Sequence, residues 1–325
     1  MSCLSAGDTL SAIKERGYLR CGVSTGFTGF SVIDETGNWV GFDVDYCRAL
    51  SAAIFENPYQ VEFVPLTNKD RFVSLSQGHI DVLSRVTSWN FKRDTGLDIV
   101  FSGVSFYDAQ AVMVREDSDI DTLSDLDSQS VCLITGSTTE KNLFEKAHHL
   151  SITFEPVLFT TASAMMRAYQ LGRCDAITSD KTSLSIIRHE LGDDDEHRII
   201  DDYISKEPLG VAVAKDDMDW FLLTRWVLNV LILAEEKGIS IDNIDQTLAQ
   251  TEHTPSMQYF LDGGNPSEIK ALGLKPQWTS RIIQSVGNYG DIFSRHFSQD
   301  SDLFIQRDLN QLWFKGGLLY APPFE

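Results

Sequence analysis

At 325 residues, with 42% hydrophobic and 23% charged content, the chain is long enough for two lobes with separate cores and has the make-up of a soluble globular protein. A formal net charge of −20 argues against nucleic acid as a partner, because binding a phosphate backbone needs a basic face. The longest apolar helical run, Trp220 to Ala234, carries Arg225 and Asn229 and is too short to span a bilayer.

Met1-Ser2-Cys3 leads almost directly into a helix from Asp8 to Arg16, stopped by Gly17. No leader segment is visible, so the chain reads either as cytosolic or as the mature form of an exported protein. Strand Leu19 to Val23 precedes a turn-rich hairpin at Asp34-Glu35-Thr36-Gly37-Asn38. A helix (Asp43 to Phe55), a strand (Val61 to Pro65), a helix (Asp70 to Gln77) and a short buried strand (Ile80 to Leu83) follow. Such alternation predicts a mostly parallel sheet with helices on both faces.

The strand at Ile80 runs out into a polar loop, Ser84-Arg85-Val86-Thr87-Ser88-Trp89-Asn90-Phe91-Lys92-Arg93-Asp94. Ligands of open α/β sheets bind outside the carboxyl ends of strands, where such loops lie. Thr87 and Ser88 offer donors and acceptors, and Arg93 offers a planar fork suited to a carboxylate. The plainer reading is a solvated loop with a surface arginine.

Ala111 to Val114 reads as a strand leaving the first lobe, and Leu123-Ser124-Asp125-Leu126 opens the second. Strand 131–134 then meets Thr135-Gly136-Ser137-Thr138-Thr139-Glu140, where Ser137 and Glu140 fit a capping box at a helix start continuing from Asn142 to His148. The N–H groups and positive dipole of that start suit an anion, and Thr138 adds a hydroxyl. Strand Ile152 to Phe159, helix Ala162 to Leu171 and strand 175–178 come next, the last ending in a carboxylate, Asp180, that suits an ammonium group. A helix from Thr182 to Glu190 and a solvated loop at Asp193-Asp194-Asp195-Glu196 lead to strand Leu209 to Ala214, which re-enters the first lobe. From Asp219 on, the chain reads as helical. The expected division is 1–114 for the first part of lobe one, 115–206 for lobe two, and 207–325 for the return plus a C-terminal extension. Two crossings make a hinge, and a hinge makes a cleft that can close. Two anion-seeking sites and one cation-seeking site complement the α-carboxylate and α-ammonium of an amino acid.

Four of the five cysteines fall two per lobe: Cys21 with Cys47, and Cys132 with Cys174. Disulfides at those places imply an oxidising compartment; four buried thiols are the alternative. The cysteines show no metal spacing, and His148-His149 reads as a helix surface.

With these residues in view, the chain resembles the periplasmic solute-binding proteins of ABC transporters for polar amino acids, over roughly Thr9 to Ala214. Its resemblance to the general L-amino-acid binding subset extends over the whole chain. The shared pieces are Cys21-Gly22-Val23-Ser24, Gly41-Phe42-Asp43-Val44-Asp45, Asp81-Val82-Leu83-Ser84-Arg85, Val286-Gly287-Asn288-Tyr289-Gly290, Leu312-Trp313 and Gly316 to Pro323. The resemblance implies a two-lobed α/β periplasmic-binding-protein fold of type II, each lobe a mostly parallel sheet flanked by helices. It also implies a monomer in the periplasm with its signal removed, no cofactor or metal, no enzymatic activity, and an ABC transporter permease as partner.

Position by position, the resemblance makes Arg93 the α-carboxylate clamp, assisted by Thr138 and the Ser88 amide. Asp180 takes the α-ammonium, helped by the Val86 carbonyl and Ser88 hydroxyl, and Phe27 packs on the ligand's aliphatic part; Thr87 and Ser137 complete the contacts. Ser24 stands where lysine and arginine binders carry an acid. Arg71 stands where glutamate and aspartate binders place an arginine; facing the cleft it favours acidic or amide ligands (glutamate, glutamine, aspartate), and the other possibility is the outer face of its helix. Val86 replaces the asparagine usual in the general binders, and Arg85 reaches either the pocket or a neighbouring helix. Cys3 is left as a free thiol or a lipid-attachment remnant. A cyclohexadienyl dehydratase-like enzyme on the same fold is the alternative, but that chemistry needs a general acid, and the three loop motifs hold no unassigned Asp, Glu or His.

Overall fold

The computed structural model describes residues 8–24, 26–192, 196–298, 303 and 305–325, so Cys3 and Asp193 to Asp195 lie outside the described residues. In chain order the elements are α1 Asp8–Arg16, β1 Leu19–Val23, β2 Val32–Ile33, β3 Trp39–Val40, α2 Phe42–Phe55, β4 Val61–Pro65, α3 Arg71–Ser76, β5 Val82–Leu83, α4 Phe91–Gly96 and β6 Ile99–Arg115. They continue with β7 Ser130–Ile134, α5 Thr138–Leu150, β8 Glu155–Phe159, α6 Ala162–Gln170, β9 Ala176–Asp180, α7 Lys181–Glu190, β10 His197–Ile199 and β11 Ser205–Ala214. The last are α8 Met218–Glu236, α9 Ile244–Leu248, α10 Pro255–Asp262, α11 Pro266–Ala271, α12 Trp278–Val286 and α13 Tyr289–Phe297. No described helix is long and apolar enough to cross a membrane.

The expected elements recur with some corrections. The strand expected at Ala111 begins at Ile99, because its buried positions continue through Phe101, Ser102, Ser105 and Phe106. The strand expected from Ile80 shrinks to Val82–Leu83, and Phe91–Gly96 is helical rather than loop. The expectation of helix to the C-terminus fails beyond Phe297: residues 305–325 hold two short 3-10 turns, at Asp308–Asn310 and Trp313–Lys315, and an isolated parallel bridge between Leu312 and Leu319.

The chain forms two compact units, one of Met1–Pro65, Arg71–Ser105 and Gly210–Glu325, the other of Leu66–Asp70 and Phe106–Leu209. In the first, the strands are ordered β4-β1-β5-β11-β6, with β1 parallel to both β4 and β5 and β11 antiparallel to β5 at Ala212↔Leu83. Helix α8 is apolar on nearly every side, and α2 is buried along almost its whole length although it carries Asp43, Asp45 and Arg48, which fits central elements rather than surface ones. Hydrogen bonds place them: Tyr46 donates to the Thr224 carbonyl at 2.7 Å, and the Trp220 indole donates to the Asp81 carbonyl at 2.8 Å. Cys21 on β1 and Cys47 on α2 form a disulfide with Cα atoms 6.3 Å apart.

The C-terminal extension belongs to this unit. Arg307 makes a two-pronged ion pair with Glu235 of α8, at 2.7 and 3.0 Å. The Phe324 ring sits among Trp226, Tyr259, Phe260 and Trp278, with centroids 5.3–6.2 Å away. Asp45 of α2 meets α13 by accepting from Arg295 and lying 2.8 Å from His296 Nε2, with Arg48 at 3.2 Å. Burial acts to raise the Asp45 pKa, but the bond and charge of His296 and the charges of Arg295 and Arg48 outweigh it and hold the carboxyl below its ordinary value. A depressed folded-state pKa stabilises above the unfolded value, and that stabilisation fades as pH falls through the folded one. The unfolding midpoint is therefore expected to drop on acidification below the ordinary value of 3.8, with a flatter profile in Asp45→Asn. Equal acid profiles for the two proteins would refute this role.

In the second unit the order is β6-β9-β7-β8, with β10 on β6. β6 runs antiparallel to β9 from Gln110↔Asp180 to Val114↔Ala176, and β7 is parallel to β8 and β9. Successive side chains of a strand point to opposite faces, and each face carries its own core. Ala111, Met113 and Cys132 join one cluster, while Val112, Val114, Val131 and Leu133 join the other. Cys132 on β7 and Cys174, just ahead of β9, are bridged with Cα atoms 5.7 Å apart.

Candidate functional site

In the first unit the candidate residues collect around the loop leaving β5. Arg93 sits on α4, started by Asn90, whose side-chain oxygen accepts the Arg93 N–H at 3.0 Å. Arg93 is 9% exposed, and its guanidinium donates to the Ser88 carbonyl at 2.7 Å and lies 5.2 Å from the centre of the Phe72 ring. Arg71, 3% exposed, holds the same ring at 4.7 Å and reaches the Thr87 hydroxyl at 3.4 Å. It is therefore buried against this loop and not on an outer, solvated helix face. A buried guanidinium keeps its charge and selects anionic or strongly accepting groups.

Thr87 is fully buried: its hydroxyl donates to the Arg85 carbonyl at 2.7 Å, and its own carbonyl accepts the Gly210 N–H at 2.9 Å. These two bonds tie it into the loop. Ser24 is buried, with its hydroxyl 2.6 Å from that of Ser31, and Phe27 is half-buried against Phe30 at 5.5 Å. Trp89 stacks on Phe101 and anchors the far side of the loop. Val86 has φ +39° and donates its N–H to Asp43 Oδ2 at 3.1 Å.

Two charged groups of this unit escaped assignment from sequence. Asp43, inside the G-F-D-V-D motif, is pushed up to about 6 by burial, against the pull of the Ser84 and Val86 bonds and the Arg85 charge. Arg85 is pushed down to about 10, chiefly by burial and further by the Arg93 charge, with Asp43 acting the other way. The two shifts run opposite to those of a simple ion pair, because desolvation of each group exceeds their mutual attraction.

In the second unit Ser137 caps α5, its hydroxyl oxygen accepting the Glu140 N–H at 3.1 Å while the hydroxyl donates to the Ile134 carbonyl at 2.6 Å. The other half of the expected capping box is displaced, since the Glu140 carboxylate accepts the Gly136 N–H at 2.7 Å. Thr138 donates its hydroxyl to Glu207 at 3.1 Å. Glu207 is 1% exposed and also accepts from Asn142 at 2.9 Å and Ser205 at 2.6 Å. Asp180 is buried at the junction of β9 and α7, opposite Gln110, which in turn donates to the Thr139 carbonyl at 3.0 Å. Gln110 thus ties the Asp180 register to the start of α5. Asp108 accepts from the Ala109 N–H at 2.8 Å and is pushed up to about 6, by burial first and also by the Glu207 charge. Neither acid announced itself in the sequence: Glu207 follows Lys206, ahead of the apolar run from Leu209, and Asp108 lies in the half of β6 read as loop. The second unit therefore offers carboxylates and hydroxyls, and the first offers guanidinium groups.

The sequence profile of the bacterial extracellular solute-binding proteins, family 3, matches residues 19–258. The chain is 42% identical to the general L-amino acid-binding periplasmic protein of Rhizobium johnstonii over 320 residues, covering 98% of this chain and 93% of that one. It is 37% identical to the glutamate/glutamine/aspartate/asparagine-binding protein of Rhodobacter capsulatus over 320 residues, covering 98% and 94%. Among solved structures, an ABC transporter periplasmic binding protein from Brucella ovis with glutathione bound superposes with a TM-score of 0.93 at 41% identity, covering 98% of this chain and all of that one.

Proposed function

We propose, from the premise that this chain belongs to the bacterial extracellular solute-binding proteins of family 3, that it captures an L-amino acid in the periplasm and delivers it to the permease of an ABC transporter. The observation that carries the reading is the buried Arg93, a planar cation fixed by its helix cap and the Ser88 carbonyl, in a chain alike over 98% of its length to amino-acid-binding relatives. In this reading Arg93, the Ser88 amide and Thr138 take the α-carboxylate. Asp180 takes the α-ammonium with the Val86 carbonyl and the Ser88 hydroxyl, and Phe27 packs on the aliphatic part.

Arg71 favours glutamate, aspartate and their amides, in line with the name of the Rhodobacter relative. Glutathione is a second candidate because the Brucella relative carries it, and its γ-glutamyl end presents the same amino and carboxyl groups. The dehydratase alternative is not favoured, since the relatives are solute-binding transporter components rather than enzymes.

Calorimetry with glutamate, glutamine, aspartate, asparagine, arginine and glutathione tests the proposal. Tight binding of at least one acidic or amide ligand is expected, and arginine is expected to bind more weakly, since Ser24 offers its side chain no anion. Silence across the whole panel would overturn the function, and preference for arginine would overturn the role given to Arg71.

A further inference from the structure

Asp43 lies in the first turn of α2, 3% exposed, and both of its oxygens serve one loop. The Ser84 hydroxyl donates to Oδ1 at 2.9 Å and the Val86 N–H donates to Oδ2 at 3.1 Å. Val86 has φ +39°, a left-handed conformation in which a β-branched side chain is a genuine outlier. Backbone of this kind persists where its surroundings impose it, and it collects at ligand-binding loops. Here what imposes it is visible: the carboxylate spans Ser84 and Val86 and fixes the backbone turn from which Thr87 and Ser88 emerge.

We propose that Asp43 is a positioning residue for ligand recognition, whose carboxylate locks Val86 in the left-handed conformation and so sets the direction of the Val86 carbonyl and of Ser88. The inference rests on the reading above that these two residues touch the ligand. An asparagine at 43 keeps the shape and can still accept from Ser84, but turns an N–H₂ toward the Val86 N–H, so the second bond is lost. Val86, β-branched, then relaxes out of the left-handed region. Asparagine at 86 behaves differently, because its side chain tolerates that region unaided.

Wild type, Asp43→Asn, Val86→Asn and the double variant separate the possibilities, each measured by thermal unfolding without ligand and by calorimetry with L-glutamate. In the wild-type background Val86→Asn is expected to raise the unfolding midpoint by about 2 °C or more, and by less once Asp43→Asn has released the loop. Asp43→Asn is expected to weaken L-glutamate binding at least tenfold while still unfolding cooperatively, and Val86→Asn in that background is expected to recover most of the loss. Wild-type affinity in Asp43→Asn overturns the proposal, as does a loss that Val86→Asn leaves unrepaired, which marks a merely structural carboxylate. An equal midpoint gain in both backgrounds, or none in wild type, overturns it without reference to any ligand. If wild type binds nothing in the panel, the functional reading fails while the midpoints still decide the clamp.

Discussion

Arg93→Ala is expected to remove measurable amino-acid binding while the unliganded protein stays folded. The residue is buried, seated on the Phe72 ring and fastened to the Ser88 carbonyl, so in the proposed reading its geometry is set before a ligand carboxylate arrives. Deleting one member of a desolvated charge pair costs about 3–5 kcal/mol, because the other charge is left buried and uncompensated. That converts to a fall in affinity of roughly a hundred- to a few thousand-fold. Asp180→Ala is expected to lose binding by the same logic at the ammonium end. Arg93→Lys keeps the charge but not the planar fork, and is expected to fall between wild type and alanine. Calorimetry with L-glutamate measures all three variants. Wild-type affinity in Arg93→Ala would mean that the arginine serves only to brace the loop.

Reduction of the two disulfides is expected to lower stability more than any single substitution discussed above. The bridges close stretches separated by 26 and 42 residues, Cys21–Cys47 in one unit and Cys132–Cys174 in the other. Restricting the unfolded chain over loops of these lengths contributes about 3.5 and about 4 kcal/mol in the chain-entropy account. Typical domains have only about 5–15 kcal/mol in total, so the reduced protein is expected to unfold at a clearly lower temperature. Thiol alkylation followed by mass spectrometry should label none of these four cysteines in the unreduced, denatured protein and all of them after reductant. Label uptake before reduction, or a midpoint indifferent to reductant, would sink the expectation.

Local signals served best where the elements carry their own punctuation. Helix α1 stops at Gly17, the first strand and the fourth have the expected bounds, and Ser137 caps α5. Helix α4 was hidden because F-K-R-D-T-G has no apolar periodicity, and its one large apolar residue, Phe91, is 83% exposed. The first half of β6 is hard to see in the sequence because Gly103, Asp108 and Gln110 interrupt its apolar pattern, although pairing with β9 keeps the later part extended. For the proposed site, Arg93 and Ser88 stood out by residue type in the segment that follows a strand, and Asp180 at the end of one. Asp43 did not, since its partners lie 41 and 43 residues further along and only the folded chain brings them together. Burial likewise cannot be read from a single arginine in a short helix, which is why the orientation of Arg71 needed coordinates.

The Asp45 contacts with Arg295 and His296 join residues 250 and 251 positions apart, and the unit they close is drawn from three separate stretches of chain. The other unit is nearly continuous, from Phe106 to Leu209 with one short added segment. Contacts between distant residues form late, since the entropy of the intervening chain is lost before any attraction is gained. The continuous unit can therefore mature first, whereas the other waits for the last hundred or so residues. An unfinished nascent chain would leave the apolar flanks of α2 uncovered, a stage at which a holdase would find most to grip.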